Sequence, residues 1–313
     1  MKNVLIFNAN AKQYTRLLEP DFPEVRFHTA GNMGELGDVT GETHILIAVS
    51  HELTDDLIRK APKLEWIQSL ISGTDAFFTL KSLKKDVLIT SARRIHGPQM
   101  SEMAFLHLLN LTRNYPRMLR NQDKGIWERW PQPLLYKKKV GILGVGIIAE
   151  ELARKCKAFN MTVYGISATK REVEGIDRFF TREQLCEAAA EVDYLVVLIP
   201  YSPETDKIIN RDVLSAMKPT AYLINIARGG VLDEDALIEA LKAKKIAGAG
   251  LDVYSQEPLP KGHPFWEMDN LIMTPKVGGI SDIYAEQVLP ILKTNLYHYI
   301  NGEREKMINL VTV

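Results

Sequence analysis

The chain has 313 residues, 46% apolar and 25% charged, a composition that suits one large or two medium soluble globular domains. Its 39 basic residues balance 39 acidic ones, so no net field favours nucleic acid or an anionic membrane. The apolar run at residues 1–7 is too short for a signal peptide and nothing approaches a membrane span, which points to a cytoplasmic protein. Two cysteines, Cys156 and Cys186, exclude a disulfide framework and read as reduced, buried thiols in helices.

Over the first hundred residues, short apolar strands alternate with helical stretches. Residues 3–7, 45–49, 64–69 and 87–91 read as strands and 55–60 as a helix, giving a small α/β lobe with a parallel sheet. This lobe has no glycine fingerprint for a nucleotide. Its loop at 69–75, with Ser72 and Gly73, directly follows a strand, where ligands bind in open α/β sheets; a plain βα turn explains it equally well. Residues 91–98 form a connector ended by Gly97-Pro98. It carries His96, and a lone loop histidine is more often structural or solvated than catalytic. Residues 100–111 are apolar nearly all round, which predicts burial on several sides at a hinge or subunit interface. The segment 115–130, with Trp127 and Trp130, reads either as an arm reaching a second subunit or as a surface helix.

The organising stretch is 139–171. An apolar strand leads into Gly144, Gly146 and Ala149, the G-x-G-x-x-A spacing, then a helix with Ile148, Leu152, Cys156 and Phe159 on one face, then a second strand at 162–166. Gly144 permits the tight turn, Gly146 lets backbone approach a pyrophosphate, and Ala149 lets the helix sit close on the strand. The N–H groups at Ile147 and Ile148 and the positive helix end face the phosphates. Four more strands, 193–199, 221–226, 246–251 and 271–273, bring the count to six, separated by helices such as 233–243. Just past the last strand ends stand Arg228, Asp252, Glu257 and Lys276. A final helix over 281–302, with Val288, Ile291, Leu292, Leu296 and Tyr299 inward, should kink at Pro290, stop at Gly302 and return to the first lobe.

These residues carry a resemblance. The run 214–237, with Met217-Lys218-Pro219 and Ile224-Asn225-Ile226-Ala227-Arg228-Gly229-Gly230, is similar to the signature of the D-isomer-specific 2-hydroxyacid dehydrogenases. So are Leu251-Asp252-Val253 followed by Glu257-Pro258, and His263-Pro264-Phe265-Trp266. The resemblance covers nearly the whole chain. It implies two Rossmann-like or flavodoxin-like α/β lobes with parallel sheets and a cleft between them: residues 1–98 plus 284–313 for substrate, and 99–283 for the dinucleotide. It implies hydride transfer between a nicotinamide and a small 2-keto or 2-hydroxy acid, of the glyoxylate or hydroxypyruvate type, in a homodimer without a metal. Arg228 matches the family's arginine, suited to bidentate contact with a carboxylate and polarisation of the keto oxygen. An ion pair at the strand end is the alternative. Glu257 matches the glutamate that supports the acid/base, and Ser72-Gly73 match the loop whose backbone N–H groups hold the substrate carboxylate. Pro200, Thr205, Ala227, Asp252 and Gly278 are expected to line the cofactor.

The family's T-P-H reads Thr274-Pro275-Lys276 here. An unperturbed lysine, with pKa ~10.4, is a cation at neutral pH and can donate a proton to a developing alkoxide. As a base it is poor unless its pKa falls to ~7–8, and a carboxylate neighbour favours the charged form. Lys276 is therefore expected to act as the acid, biasing the reaction toward reduction, with His96 as a fallback donor. A structural ion-pair partner is the alternative, and with it a nucleotide-sensing protein of little turnover. Past the second strand, Ser167, Ala168, Thr169, Lys170 and Arg171 offer a hydroxyl and two cations where NAD binders place a carboxylate, which favours NADP(H), with NAD(H) possible if the basic pair is only solvated.

Overall fold

A computed structural model describes residues 1–170 and 172–311. Contacts divide the chain into two units: Met1–Ile95 with the segment from Ser281 onward, and His96–Ile280. The first division falls before His96 and not at 98/99 because His96 caps the helix that follows, its carbonyl accepting the Met100 N–H at 3.1 Å.

The first unit runs β1 (Lys2–Phe7), α1 (Ala11–Leu18), β2 (Val25–Ala30), β3 (Ile45–Ala48), α2 (Asp55–Arg59), β4 (Trp66–Ser69) and β5 (Leu88–Thr90). All its strand pairs are parallel, in the order β2-β1-β3-β4-β5. Val4–Phe7 of β1 and Ile45–Ala48 of β3 are unbroken apolar runs because both faces are covered, while the inner strand β4 buries the polar Gln68 and Ser69 as well. The edge strand β2 (VRFHTA) escapes the periodicity reading, since its charged and polar residues are only partly covered. α1 escapes it too: it buries only Ala11, Tyr14 and Leu18.

The second unit runs α3 (Gly97–Arg113), α4 (Tyr115–Asp123), β6 (Lys139–Leu143), α5 (Ile147–Ala158), β7 (Thr162–Ser167), β8 (Arg178–Thr181), α6 (Leu185–Glu191), β9 (Tyr194–Val197), α7 (Arg211–Ala216), β10 (Tyr222–Asn225), α8 (Glu234–Lys242), β11 (Gly248–Leu251) and β12 (Leu271–Met273). Its sheet has seven parallel strands among the described residues, ordered β12-β11-β10-β9-β6-β7-β8. The expected six omitted β8, a short edge strand (RFFT) in which only Phe180 is fully buried. One core cluster gathers α6, α7 and α8 residues with strand residues such as Leu143, Leu195 and Leu223; another gathers α3 and α5 with Val140, Ile142 and Ile224. Helices thus pack on both faces, and strand order reverses between β6 and β9.

Three burial expectations need correction. Cys156 is buried, but Cys186 is exposed on the short α6. On α5 the buried face is Ala149, Leu152, Ala153 and Cys156, while Phe159, at the C-cap, is exposed. α3 buries Ala104, Phe105, Leu108 and Leu111, yet Leu106 and Leu109 are exposed.

The last helix, α9 (Tyr284–Ile300), runs on through Pro290, and Gly302 follows at φ 74°. Val288, Leu292, Leu296 and Tyr299 join the core of β1, β3 and α1 in the first unit. The wholly buried Asn295 fastens it. Its Nδ2 donates to Gln68 Oε1 at 2.9 Å and to the Ile308 carbonyl at 3.1 Å, and its Oδ1 accepts the Ile308 N–H at 2.7 Å. Gln68 Oε1 also accepts from Thr90, whose hydroxyl accepts from the Trp66 indole. An Asn295→Leu substitution strands several buried polar groups at once. It should lower stability by about 2–4 kcal/mol, read as a fall in the urea midpoint of the first unit's unfolding.

Candidate active site

The glycine turn sits at the reversal between β6 and β9. Gly144 has φ 103°, and a Cβ there would lie 2.8 Å from the Leu198 carbonyl carbon, so a side chain is excluded by both conformation and space. Its N–H donates to the Ile166 carbonyl at 2.8 Å, tying the turn to β7. Gly146 differs: it is the extended N-cap of α5, and a Cβ there would meet nothing within 4 Å. No side chain caps α5, and Ala149 is fully buried beneath its first turn. Open space over an uncapped helix start is the arrangement a pyrophosphate requires, so the residues present fit the group. Gly144→Ala should cost about 2–4 kcal/mol of stability. Gly146→Ala should leave thermal unfolding nearly unchanged yet weaken NADPH binding about tenfold or more, measured by nicotinamide fluorescence.

At the tip of β7, Ser167 is half-buried and Ala168, Thr169 and Lys170 are exposed; Arg171 lies outside the described residues. Beyond β9, Pro200 is exposed and Thr205 is buried. The Thr205 hydroxyl donates to the Pro200 carbonyl at 2.9 Å and accepts the Ser202 N–H at 2.7 Å, so it braces the strand tip from below.

Arg228 stands on the tip of β10, in extended backbone before the turn Gly229–Val231. The fully buried Asn225 forms this tip: its Oδ1 accepts the Ala227 N–H at 3.1 Å and its Nδ2 donates to the Arg228 carbonyl at 2.9 Å. The guanidinium Nη1 then donates to the Ala227 carbonyl at 2.8 Å. A Cβ on Gly229 would meet the Tyr254 backbone at 1.9 Å, so the loop after Arg228 is pressed against the loop after β11. His96, half-buried, lies close enough that burial first and the Arg228 charge second push its pKa down to about 4. It is neutral at pH 7, which removes it as a fallback proton donor.

The loops after β11 and β12 are joined by Asp252, 2% exposed. Its Oδ1 accepts from the Thr274 hydroxyl at 2.5 Å and the Val277 N–H at 3.0 Å, and its Oδ2 from the Gly278 N–H at 2.9 Å. A Cβ on Gly278 would press that oxygen at 2.9 Å. Asp252 therefore shapes the 274–278 loop; contact with a cofactor is a further expectation. Lys276 lies within this loop at φ 55°, a left-handed conformation unusual for lysine. Its ammonium is hydrogen-bonded to Glu257 Oε2, while Glu257 Oε1 accepts the Tyr254 N–H at 3.1 Å. The pair is open to solvent on the lysine side, with side-chain exposures of 55% and 28%.

Within this unit the strand tips thus carry Arg228 beside His96, and Lys276 bonded to Glu257. Ser72 and Gly73 belong to the first unit, where they follow β4 and the Ser50 hydroxyl holds the Gly73 carbonyl at 2.8 Å. Sequence reasoning passed over Asn225, Thr274 and His107. Asn225 and Thr274 sat inside quoted motifs, and His107 was visible as a histidine in an apolar helix.

A doubly wound parallel sheet with this glycine turn at its reversal defines a dinucleotide-binding domain. Residues 105–278 match the NAD binding domain of D-isomer specific 2-hydroxyacid dehydrogenases. The chain is 30% identical over 311 residues, 95% of its length, to a D-3-phosphoglycerate dehydrogenase of Methanocaldococcus jannaschii, and spans 58% of that longer protein. The structure resembles that of a D-isomer specific 2-hydroxyacid dehydrogenase family protein from Aeromonas salmonicida (TM-score 0.91, 32% identity, 99% of this chain and 98% of that one). It also resembles an NADPH-dependent glyoxylate/hydroxypyruvate reductase from Sinorhizobium meliloti in complex with NADP and sulfate (TM-score 0.84, 26% identity, 99% and 98%). The chain belongs to the D-isomer specific 2-hydroxyacid dehydrogenase family.

Proposed function

We propose that the protein is an NAD(P)H-dependent reductase that converts a small 2-keto acid of the glyoxylate or hydroxypyruvate type into the D-2-hydroxy acid. The observation that carries this reading is the hydrogen-bonded Lys276–Glu257 pair on strand-tip loops of the dinucleotide-binding unit that also presents Arg228. A bound nicotinamide supplies the hydride. Arg228 holds the substrate carboxylate and polarises the keto oxygen through its planar fork. Ser72 and Gly73 offer backbone N–H groups to a substrate carboxylate. Lys276 gives a proton to the oxygen as negative charge develops there, and Glu257 holds the ammonium in place and charged until transfer.

NADP(H) is the preferred cofactor in this reading, because Ser167, Thr169 and Lys170 present hydroxyls and a cation, with no carboxylate, beyond β7. Gly144, Gly146, Ile147 and Ile148 take the pyrophosphate, and Pro200, Thr205, Ala227, Asp252 and Gly278 line the remainder. The protein works as a homodimer in the cytoplasm: Leu106, Leu109, Tyr115, Leu119 and the 93%-exposed Trp127 leave apolar surface on and after α3 that a second copy would cover. No described helix is long and apolar enough to cross a membrane.

The test mixes NADPH with a panel of 2-keto acids and follows the absorbance loss, alongside Kd values for NADPH and NADH. Turnover with glyoxylate or hydroxypyruvate and at least about tenfold tighter NADPH binding, the contact of the Lys170 cation with a 2′-phosphate being at stake, is the expected outcome. Equal Kd values sink the NADP preference. Tight binding without turnover on any acid identifies a nucleotide sensor.

A further inference from the structure

α3 carries a polar side chain that its surroundings do not call for. His107 is 0% exposed on α3, whose Ala104, Leu108 and Leu111 belong to the apolar core shared with α5. Strand β11 makes room for its ring: a Cβ on Gly250 would lie 2.6 Å from Nδ1 and 2.8 Å from Cγ. Nδ1 has no hydrogen-bond partner. A buried, unpaired ring nitrogen costs free energy that a leucine would not. Packing alone therefore gives no reason for an imidazole at this place.

The other ring nitrogen supplies the reason. Nε2 lies 3.4 Å from Thr274 Oγ1. That hydroxyl has one proton, and the carboxylate oxygen of Asp252 at 2.5 Å claims it. Towards His107 it can then only accept, so the proton sits on Nε2 and Nδ1 is the bare acceptor. Burial, the larger influence, against the opposing charge of Asp252, holds the ring down to about 4, so this neutral tautomer persists through the neutral range. The chain runs His107 Nε2–H to Thr274, Thr274 to Asp252, and Asp252 to the N–H groups of Val277 and Gly278. Lys276 lies between the residues so held, at its left-handed φ of 55°.

We propose that His107 is a positioning residue for Lys276, acting through Thr274 and Asp252 to hold the 274–278 loop in the one shape that keeps the ammonium on Glu257. It touches neither substrate nor cofactor. The proposal rests on the reading of Lys276 as proton donor.

The test compares His107→Leu, His107→Gln and Lys276→Met in the full-length protein. Leucine removes both ring nitrogens, so His107→Leu should unfold no earlier than the parent. Its kcat for keto-acid reduction should nevertheless fall about tenfold or more, the scale of a small misplacement of an acting group, and by a larger factor than the Kd for NADPH rises, since Asp252 and Gly278 also line the cofactor in the proposed reading. Hydrogen exchange at the Val277 and Gly278 amides should quicken in the same variant. His107→Gln, whose amide N–H reaches about as far as Nε2–H, should recover most of kcat and slow the exchange again. Combined with Lys276→Met, His107→Leu should add no further loss. Parental kcat and exchange in His107→Leu, a kcat loss that follows a lowered Tm without rescue by glutamine, or additive losses in the double variant would each overturn the proposal. Full activity in Lys276→Met overturns the proton-donor reading itself, and the proposal with it; normal loss there beside an unaffected His107→Leu overturns the positioning role alone.

Discussion

Arg228→Ala should abolish useful turnover while leaving the protein folded. A bidentate contact between guanidinium and carboxylate comprises two charge-assisted hydrogen bonds, each worth about 1.5–3 kcal/mol. Losing both, together with the polarisation of the keto oxygen, should lower kcat/KM by about 10^3 or more, since each 1.4 kcal/mol is a factor of ten. The fold should tolerate the change, because the tip of β10 is shaped by Asn225 and by the contact of Gly229 with Tyr254, neither of which uses the Arg228 side chain. Arg228→Lys should recover only a small part of the activity: an ammonium is a point charge and lacks the fork. Steady-state kinetics with thermal unfolding as the control measures both halves. A kcat/KM within tenfold of the parent in Arg228→Ala would leave the guanidinium a structural brace for the Ala227 carbonyl.

Lys276→Met should have the second largest effect, and it should fall on kcat. General acid catalysis by a positioned side chain is worth about 10^2–10^4 in rate, so the reduction should slow by about that factor with the Kd for NADPH unchanged. Glu257→Gln should do less harm to reduction, because it loosens the ammonium without removing it. The pairing also sets a direction. A lysine held as a cation against a carboxylate is ready to give a proton and ill suited to take one, so keto-acid reduction should outrun alcohol oxidation at neutral pH. Rate profiles in both directions for the three proteins decide it. Efficient oxidation at pH about 6 that disappears in Lys276→Met but survives in Glu257→Gln would contradict the pairing, since a lysine far below its reference pKa of about 10.4 would then be acting as the base.

Much of this was legible before any coordinates. The apolar runs of β1, β3, β6, β9 and β10 announce central parallel strands, because a strand covered on both faces keeps few polar positions, such as Asn225 at the end of β10. The Gly144–Ala149 spacing announces the turn, because only glycine tolerates a φ of 103° beside the backbone of Leu198. The edge strands β2 and β8 were missed for the complementary reason: half-solvated strands keep charged residues and lose the pattern. The two exposed leucines of α3 were misjudged because composition says how apolar a helix is and not how many neighbours cover it.

Residue types and their spacing were enough for the family and the two sheets, since these are properties of short stretches of chain. The resemblance also set Glu257 beside Lys276, 19 positions away, and the two are hydrogen-bonded; the partnership of His107 with Thr274, 167 positions apart, it did not supply. Such pairs exist because packed helices and strands bring distant atoms within hydrogen-bond reach, and no local pattern encodes that distance. The left-handed backbone at Lys276 is of the same kind: lysine has no preference for it, and the buried carboxylate of Asp252, gripping the amides beyond it, accompanies it there.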